Sequence, residues 1–217
     1  MKYQAAVFDL DGTLLDTLED LYLSVNRTLM YFHWPQRTKK EVQAFVGNGV
    51  EVLIQKAVPQ ATENPLLEQC LQYFKQDYAK HSLDHTAPYP GIVPMLKALK
   101  NKGIKCAVVS NKFDAAVKQL VRYFFGDVIL SARGESKTVR RKPAPDAVFA
   151  VLKELQVQKE NAVYIGDSDV DIATAKNCKM DCVSVLWGFR EKQFLQQCGA
   201  EAFAETPEML LKRLVSL

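Results

Sequence analysis

Short, fully apolar segments alternate with helical patterns along much of the chain, and this alternation is the feature that most limits its fold. The predicted strands are residues 3–10, 105–110, 127–130, 162–165 and 182–186. Strands that are buried on both faces and separated by helices are typical of a parallel sheet covered by helices. The sequence therefore predicts a doubly wound, Rossmann-like parallel-sheet core of the α/β class.

The interval between the first two predicted strands contains helical patterns only. One helix is expected there from Thr17 to a point before Pro35. Three more are expected over residues 40–46, 50–57 and 65–80. Beyond Pro88, the helices expected between the strands are residues 92–101, 112–123, 146–155 (with Asp146 as N-cap) and 171–177. We therefore expect a core of residues 1–16 and 85–217, with a small all-helical cap of residues 17–84 inserted after the first strand.

Composition argues against several classes of protein. The 217 residues include 28 Lys and Arg against 25 Asp and Glu, and a net charge of +3 does not indicate a nucleic-acid or membrane partner. No apolar stretch approaches the roughly 18 residues of a membrane span. The five cysteines lack the spacing of a zinc site or a disulfide framework. We expect a cytoplasmic protein, a monomer or homodimer, that binds neither nucleic acid nor membrane.

Polar residues stand where the predicted strands end. Ligands of an open parallel sheet bind beyond the carboxyl ends of its strands, so these residues are expected to meet at one edge. They are Asp9, Asp11, Gly12 and Thr13 after the first strand, Ser110 and Asn111 after the second, Lys142 before the helix at 146, and Asp167 and Asp171 after the fourth.

The chemistry of these side chains indicates phosphoryl transfer. Asp9 and Asp11 are two residues apart at a strand end, a spacing that sends both carboxylates to one side. A cluster of carboxylates needs a cation to relieve its repulsion, and oxygen ligands favour Mg²⁺. Lys142 and the hydroxyl groups of Ser110 and Thr13, with backbone amides such as that of Gly12, are suited to hold a phosphate. The side chain of Asn111 is expected to contact the phosphate as well, with a cap of the following helix as the equal alternative.

In a site of this kind an aspartate can be the nucleophile, which divides one difficult displacement into two easier steps. A second carboxylate can protonate the leaving oxygen and later deprotonate the attacking water.

Four ordered segments resemble the motifs of the haloacid dehalogenase superfamily, and within it of the phosphoglycolate phosphatase group. They are Asp9-Leu10-Asp11-Gly12-Thr13-Leu14, Val109-Ser110-Asn111-Lys112, Lys142-Pro143, and Gly166-Asp167-Ser168-Asp169-Val170-Asp171. The resemblance implies that Asp9 is the nucleophile and Asp11 the general acid/base, and that Ser110 and Lys142 anchor the phosphate. It also implies Mg²⁺ on Asp9, Asp167 and the backbone carbonyl of Asp11, with Asp171 behind the metal or bound to it through water.

The predicted insertion is similar in place and length to the small helical cap of this family, in which the cap sets substrate choice. The turn Gly47-Asn48-Gly49 resembles a glycine turn of phosphoglycolate phosphatase caps, where backbone amides meet the substrate. A turn that merely links two cap helices is an equal alternative.

The expected activity is hydrolysis of a small phosphorylated metabolite such as 2-phosphoglycolate. Inorganic pyrophosphatase and phosphosugar phosphatase or phosphomutase activities remain alternatives on the same fold, although the His-x-x-Lys-Gly element of a β-phosphoglucomutase is absent between Asp16 and His85. A catalytically silent binding module would carry a damaged motif, and none is found. The basic run at residues 137–142 has no interleaved aromatic residues and gives weak support to a nucleic-acid partner.

Overall fold

The computed structural model describes residues 2–60, 63–136 and 139–216. The strands, in chain order, are β1 (Ala5–Phe8), β2 (Leu15–Asp16), β3 (Ala87–Pro88), β4 (Lys105–Phe113), β5 (Ile129–Glu135), β6 (Ala162–Gly166), β7 (Asp181–Val185) and β8 (Phe203–Ala204). The helices are α1 (Leu18–Tyr31), α2 (Lys39–Phe45), α3 (Val50–Ala57), α4 (Leu67–His81), α5 (Ile92–Asn101), α6 (Asp114–Phe125), α7 (Asp146–Leu155), α8 (Asp169–Cys178), α9 (Lys192–Gln197) and α10 (Pro207–Val215).

The chain divides into two compact units. The first contains Met1–Leu15 and Pro88–Leu217, and the second contains Asp16–Ala87. The short strands β2 and β3 pair in a small sheet of their own at the two points where the chain passes between the units. In the described part of the chain, no helix is both long enough and apolar enough to cross a membrane.

The first unit contains a six-stranded sheet in the order β5-β4-β1-β6-β7-β8, and its neighbouring strands are parallel. If the six strands of this sheet are renumbered in chain order, their spatial order becomes 3-2-1-4-5-6. This is the strand order of a doubly wound Rossmann-like fold, which confirms the predicted fold class. All four residues of β1 are buried, because this central strand has neighbours on both edges and is covered on both faces. Val7 lies between Ala107 and Tyr164 in register, and α7 packs on this face through Val148 and Val151.

Several predicted bounds were wrong, and the largest error concerns β4. The strand was predicted to end at Ser110, with Asn111 following it and Lys112 starting the next helix. Asn111 and Lys112 instead continue β4 to Phe113, which pairs with Glu135 of a longer β5. Ser110, Asn111 and Lys112 are buried, so their polarity reflects the site that they line and not exposure to water.

Smaller differences concern the helix ends and the C-terminal region. Asp146 is the first residue of α7 and not its N-cap, because its carboxylate pairs with Arg140 at 3.0 Å. The helix α8 begins earlier than predicted, at Asp169, with Ser168 as its N-cap. Residues 182–186 were expected to form the last strand, but β8 follows at the sheet edge, and α9 and α10 had not been predicted.

The described residues of the second unit include the four helices α1 to α4. The buried faces of α1 and α4 follow helical spacing, as in Leu21, Val25 and Leu29 of α1. Near the end of the unit, the buried carboxylate of Asp20 accepts hydrogen bonds from the backbone N–H groups of His85 and Thr86, and from the Thr86 hydroxyl at 2.7 Å. Burial opposes ionisation of Asp20, but the hydrogen bonds from Thr86 and His85 outweigh it and lower the pKa of Asp20.

We expect Asp20→Ala to lower the free energy of unfolding by about 3 kcal/mol, because it removes the acceptor of the buried N–H and hydroxyl groups of Thr86 and of the partly buried N–H of His85. Urea unfolding followed by circular dichroism measures this loss. The matched control is Asp84→Ala, which removes an exposed carboxylate 2.7 Å from His81 Nδ1 and should change stability by less than about 1 kcal/mol. Equal losses in the two variants would contradict the assignment.

Candidate active site

The residues expected at the strand ends are brought to one edge of the six-stranded sheet by the register of its central strands. Phe8, the last residue of β1, pairs with Val108 on one side and Ile165 on the other. Asp9 therefore leaves the sheet next to Gly166 on one side and the last residues of β4 on the other. The loop that contains Lys142 meets the same edge, because its backbone is bound to β4 through Asn111.

Lys142 lies between two carboxylates at the centre of this edge. Its Nζ is 2.9 Å from Asp9 Oδ1 and 2.8 Å from Asp171 Oδ1, and its side chain is only 2% exposed. Burial disfavours the charge on Lys142, but the negative charges of Asp171 and Asp9 outweigh it and raise the pKa of Lys142. The ammonium is therefore a fixed positive charge beside Asp9.

Asn111 holds this lysine in place. Its side-chain amide accepts a hydrogen bond from the backbone N–H of Lys142 at 2.8 Å and donates one to the carbonyl of Lys142 at 3.1 Å. The side chain of Asn111, for which a contact with phosphate was predicted, is thus bound to the lysine backbone. The peptide bond that follows, Lys142–Pro143, is cis.

Three carboxylates form a buried cluster that is suited to a metal ion. One oxygen each of Asp9, Asp167 and Asp171 lie within 4.8 Å of one another. Burial and the charge of Asp171 raise the pKa of Asp9 well above its ordinary value, against the opposing effect of Lys142. Burial and Asp171 also raise the pKa of Asp167 to about 7. Such shifts mean that the ionised cluster needs a proton or a cation to relieve it.

Asp167 is held in position by groups from distant parts of the chain. Its carboxylate accepts hydrogen bonds from the Thr13 hydroxyl and from the backbone N–H of Phe189, both at 2.8 Å. The hydroxyl of Thr13 was predicted to bind phosphate, and the structure places it on Asp167 instead. A Cβ at Gly12 or at Gly188 would collide with Asp167, and Gly12 also has a φ of 81°, so both glycines allow this close approach.

Asp171 is occupied by donors from its own loop and from β6. One oxygen accepts from the Ser168 hydroxyl at 2.6 Å and from the backbone N–H groups of Ser168 and Asp167. The other accepts from Lys142 and from the Tyr164 hydroxyl at 3.1 Å. A carboxylate with this many donors is suited to organising the loop and Lys142, so Asp9 and Asp167 are the better candidates for direct metal ligands.

Lys112 is a site residue to which the sequence analysis gave no role. Its Nζ donates to both carboxylate oxygens of Asp11, at 2.9 and 3.0 Å, and its side chain is 4% exposed. The signal that could have revealed it is a lysine three positions after Val109, the last apolar residue of a buried run, because a buried lysine needs an acidic partner. The sequence does not identify which carboxylate that partner is. The backbone N–H of Lys112 donates to the Ser110 hydroxyl at 3.2 Å, which ties this lysine to the proposed phosphate anchor.

Two further segments were considered in the sequence, the glycine turn at 47–49 and the basic run at 137–142. Gly47, Asn48 and Gly49 form a turn between α2 and α3 in the second unit, where Gly47 and Gly49 have φ values of 122° and 85°. In the basic run, Lys137 and Thr138 lie outside the described residues. Arg140 pairs with Asp146 and Arg141 lies 3.9 Å from Glu135.

Comparison with known proteins identifies the family. The sequence matches the haloacid dehalogenase-like hydrolases over residues 6–185. A phosphoglycolate phosphatase of Aquifex aeolicus is 32% identical over 187 residues, 84% of each chain, and one of Pseudomonas savastanoi pv. phaseolicola is 32% identical over 222 residues, 97% of this chain and 77% of the relative. A crystal structure from Lactobacillus delbrueckii subsp. bulgaricus, provisionally assigned as a phosphoglycolate phosphatase, is 38% identical with a TM-score of 0.95 and full coverage of both chains. The chain belongs to the haloacid dehalogenase-like hydrolase family, which confirms the resemblance inferred from its motifs.

The buried cluster makes the stability of the metal-free protein depend on pH. The pKa of Asp167 is about 7 in the folded chain, against an ordinary value of 3.8. Between these values the folded chain holds a proton that the unfolded chain has lost, so the free energy of unfolding falls as the pH rises through this window. We expect a fall of about 1 kcal/mol per pH unit in urea unfolding between about pH 5 and about pH 7 in metal-free buffer.

The control for this prediction is a pair of variants. Asp167→Ala should make the slope smaller, with the part due to the raised pKa of Asp9 remaining, whereas Asp169→Ala, which removes an acid of the same loop outside the cluster, should keep the full slope. A free energy of unfolding that rises between about pH 5 and about pH 7, or a slope in Asp167→Ala equal to that of the wild type, would be incompatible with the assignment.

Proposed function

We propose that this hydrolase is a Mg²⁺-dependent phosphomonoesterase that acts through an aspartyl-phosphate formed on Asp9. The observation that carries the proposal is the position of Asp9, buried 2.9 Å from the ammonium of Lys142 and within the cluster of Asp9, Asp167 and Asp171. A carboxylate can attack a dianionic phosphate ester only where positive charge offsets the repulsion between the two anions. The names of the relatives, several of them phosphoglycolate phosphatases, support the same class of reaction.

The residues present fit a magnesium ion. Lys142 pairs with Asp9 and Asp171, and Lys112 pairs with Asp11. The carboxylates of these three residues and Asp167 outnumber the two ammonium groups, so negative charges remain in excess when all are ionised. A divalent cation of the kind that prefers oxygen ligands would balance them. Asp9 and Asp167 would hold it through their carboxylates, and Asp11 through its backbone carbonyl. When bound, the ion neutralises charge on the phosphoryl group.

In the first step, an oxygen of Asp9 attacks phosphorus and the ester bond to the leaving group breaks. Asp11 gives a proton to the departing oxygen, so an alcohol leaves and the phosphoryl group stays on Asp9. In the second step, Asp11 takes a proton from water as the water oxygen attacks phosphorus. Inorganic phosphate leaves and Asp9 is restored.

The remaining site residues position these groups. Ser110 and Lys142 would hold the phosphoryl oxygens, with the amide of Gly12 as a further candidate donor. Thr13 and Asn111 act indirectly: the side chain of Thr13 fixes Asp167, and that of Asn111 fixes the backbone of Lys142. Asp171 has the same kind of role, because it holds both Lys142 and the turn at Ser168.

The second unit is proposed as the cap. The sequence places this cap at residues 17–84, between core segments 1–16 and 85–217. A lid of this kind excludes water and completes the site. The turn at Gly47–Gly49 is proposed to bring backbone amides to the substrate. Among small phosphorylated metabolites we propose 2-phosphoglycolate as the substrate, on the strength of the relatives named above.

We expect Asp9→Asn to lower phosphate release from p-nitrophenyl phosphate by about 10⁴-fold or more, because the amide is not a nucleophile. Steady-state assay with Mg²⁺ measures the loss, and mass spectrometry of acid-quenched wild-type enzyme should detect a phosphoryl group on Asp9. Asp169→Asn is the matched control and should keep full activity. Full activity in Asp9→Asn with an unchanged circular dichroism spectrum would exclude Asp9 as nucleophile.

A substrate comparison separates the alternatives on this fold. The enzyme should hydrolyse 2-phosphoglycolate with a kcat/KM about tenfold or more above those for inorganic pyrophosphate and glucose phosphates. Asn48→Pro, which removes one backbone N–H of the turn, should raise KM for 2-phosphoglycolate, and an unchanged KM would contradict a contact between this amide and the substrate. Faster turnover of pyrophosphate would replace the proposed substrate with the pyrophosphatase alternative.

A further inference from the structure

Lys112 provides a second buried ammonium at the same sheet edge as Lys142. Lys142 is occupied by Asp9 and Asp171, the nucleophile side of the site, whereas Lys112 donates to both oxygens of Asp11. Because Asp11 is the proposed proton donor to the leaving oxygen, Lys112 lies on the leaving-group side. A further cation, Arg190, acts on Asp167, where its charge favours the ionised form.

We propose that Lys112 determines specificity by binding a carboxylate on the leaving group while it continues to hold Asp11. The inference rests on the proposed phosphatase function and deepens it. It assigns to this chain substrates of the form phosphate–O–CH₂–COO⁻, and more generally small phosphate esters whose leaving group carries a carboxylate near the ester oxygen.

The distances suit such a contact. The Lys112 ammonium is 2.9 and 3.0 Å from the oxygens of Asp11. A leaving oxygen hydrogen-bonded to Asp11 would therefore lie no more than about 6 Å from the ammonium, the length of two consecutive hydrogen bonds. The carboxylate of a glycolate leaving group is separated from the ester oxygen by one methylene, so it can reach the ammonium with one further hydrogen bond.

The same structure shows that an ammonium can serve two carboxylates at this edge. Lys142 contacts Asp9 and Asp171 at 2.9 and 2.8 Å while buried. Lys112 is similarly buried, so a hydrogen bond from it to a substrate carboxylate forms where water screens little charge. A leaving group with an alkyl or a cationic end would leave that ammonium without the added acceptor, or would face it with like charge.

The test compares 2-phosphoglycolate with ethyl phosphate, in which a methyl group replaces the carboxylate. Wild-type enzyme should prefer 2-phosphoglycolate by about ten- to a hundredfold in kcat/KM, the range expected for a charge-assisted hydrogen bond. Lys112→Met should bring that ratio close to one, chiefly through KM for 2-phosphoglycolate, and Lys112→Arg should retain most of it. A general disturbance of Asp11 lowers kcat/KM for both esters, and more for ethyl phosphate, whose alcohol is the poorer leaving group, so it would not bring the ratio close to one.

The control is Lys118→Met, which removes an exposed lysine of α6 that pairs with Asp114 and should leave the ratio unchanged. If Lys112→Met has too little activity for kinetics, calorimetry of both esters in an Asp9→Asn background, with and without Lys112→Met, gives the ratio of Kd values in place of kcat/KM. A wild-type ratio near one, or a ratio that survives in Lys112→Met, overturns the inference. Failure of wild-type enzyme to hydrolyse any phosphate ester would instead overturn the proposed function.

Discussion

The ion pairs of Lys142 are the interaction on which the rest of the site depends. A buried ammonium is tolerated only when carboxylates and hydrogen bonds replace its hydration, and here Asp9 and Asp171 do so. Asp171 in turn organises the loop after β6, and Asn111 of β4 fixes the lysine backbone. One charge therefore links the ends of three strands, and removing it would leave the buried carboxylates of Asp9 and Asp171 without that positive charge.

The sheet order explains why these groups can meet at all. In a doubly wound sheet the chain reverses its direction of progress at the central strand, and β1 is that strand, with β4 on one side and β6 on the other. The loops that follow β1, β4 and β6 then diverge from one point and leave space for a ligand. The glycines at 12 and 188 keep that space tight around Asp167, because any side chain at either position would displace it.

The fold class, and the polar residues that the structure gathers at one sheet edge, could be predicted from the sequence because both depend on local signals. Apolar runs, helical spacing and carboxylates at strand ends can all be recognised without tertiary contacts. The roles of Thr13, Asn111 and Lys112 could not be predicted, because each is set by a partner remote in the chain, 154 residues away for Thr13 and Asp167. The length of β4 was missed for a related reason: its last residues are polar yet buried, and only the opposing site explains both properties.

Repulsion among the carboxylates of Asp9, Asp167 and Asp171 weakens the metal-free fold, and it also suits this cluster to its proposed chemistry. Asp9 must be ionised to attack, yet burial and Asp171 raise its pKa, and Lys142 only partly offsets this. A divalent cation held by Asp9 and Asp167 would restore the ionised form and at the same time attract a phosphate dianion. A carboxylate whose hydrogen bonds all come from protein donors, as those of Asp171 do, would hold no cation and so would not help to attract a phosphate. The site is therefore left electrostatically incomplete at Asp9 and Asp167, and that incompleteness favours a metal ion and a phosphate ester together over either alone.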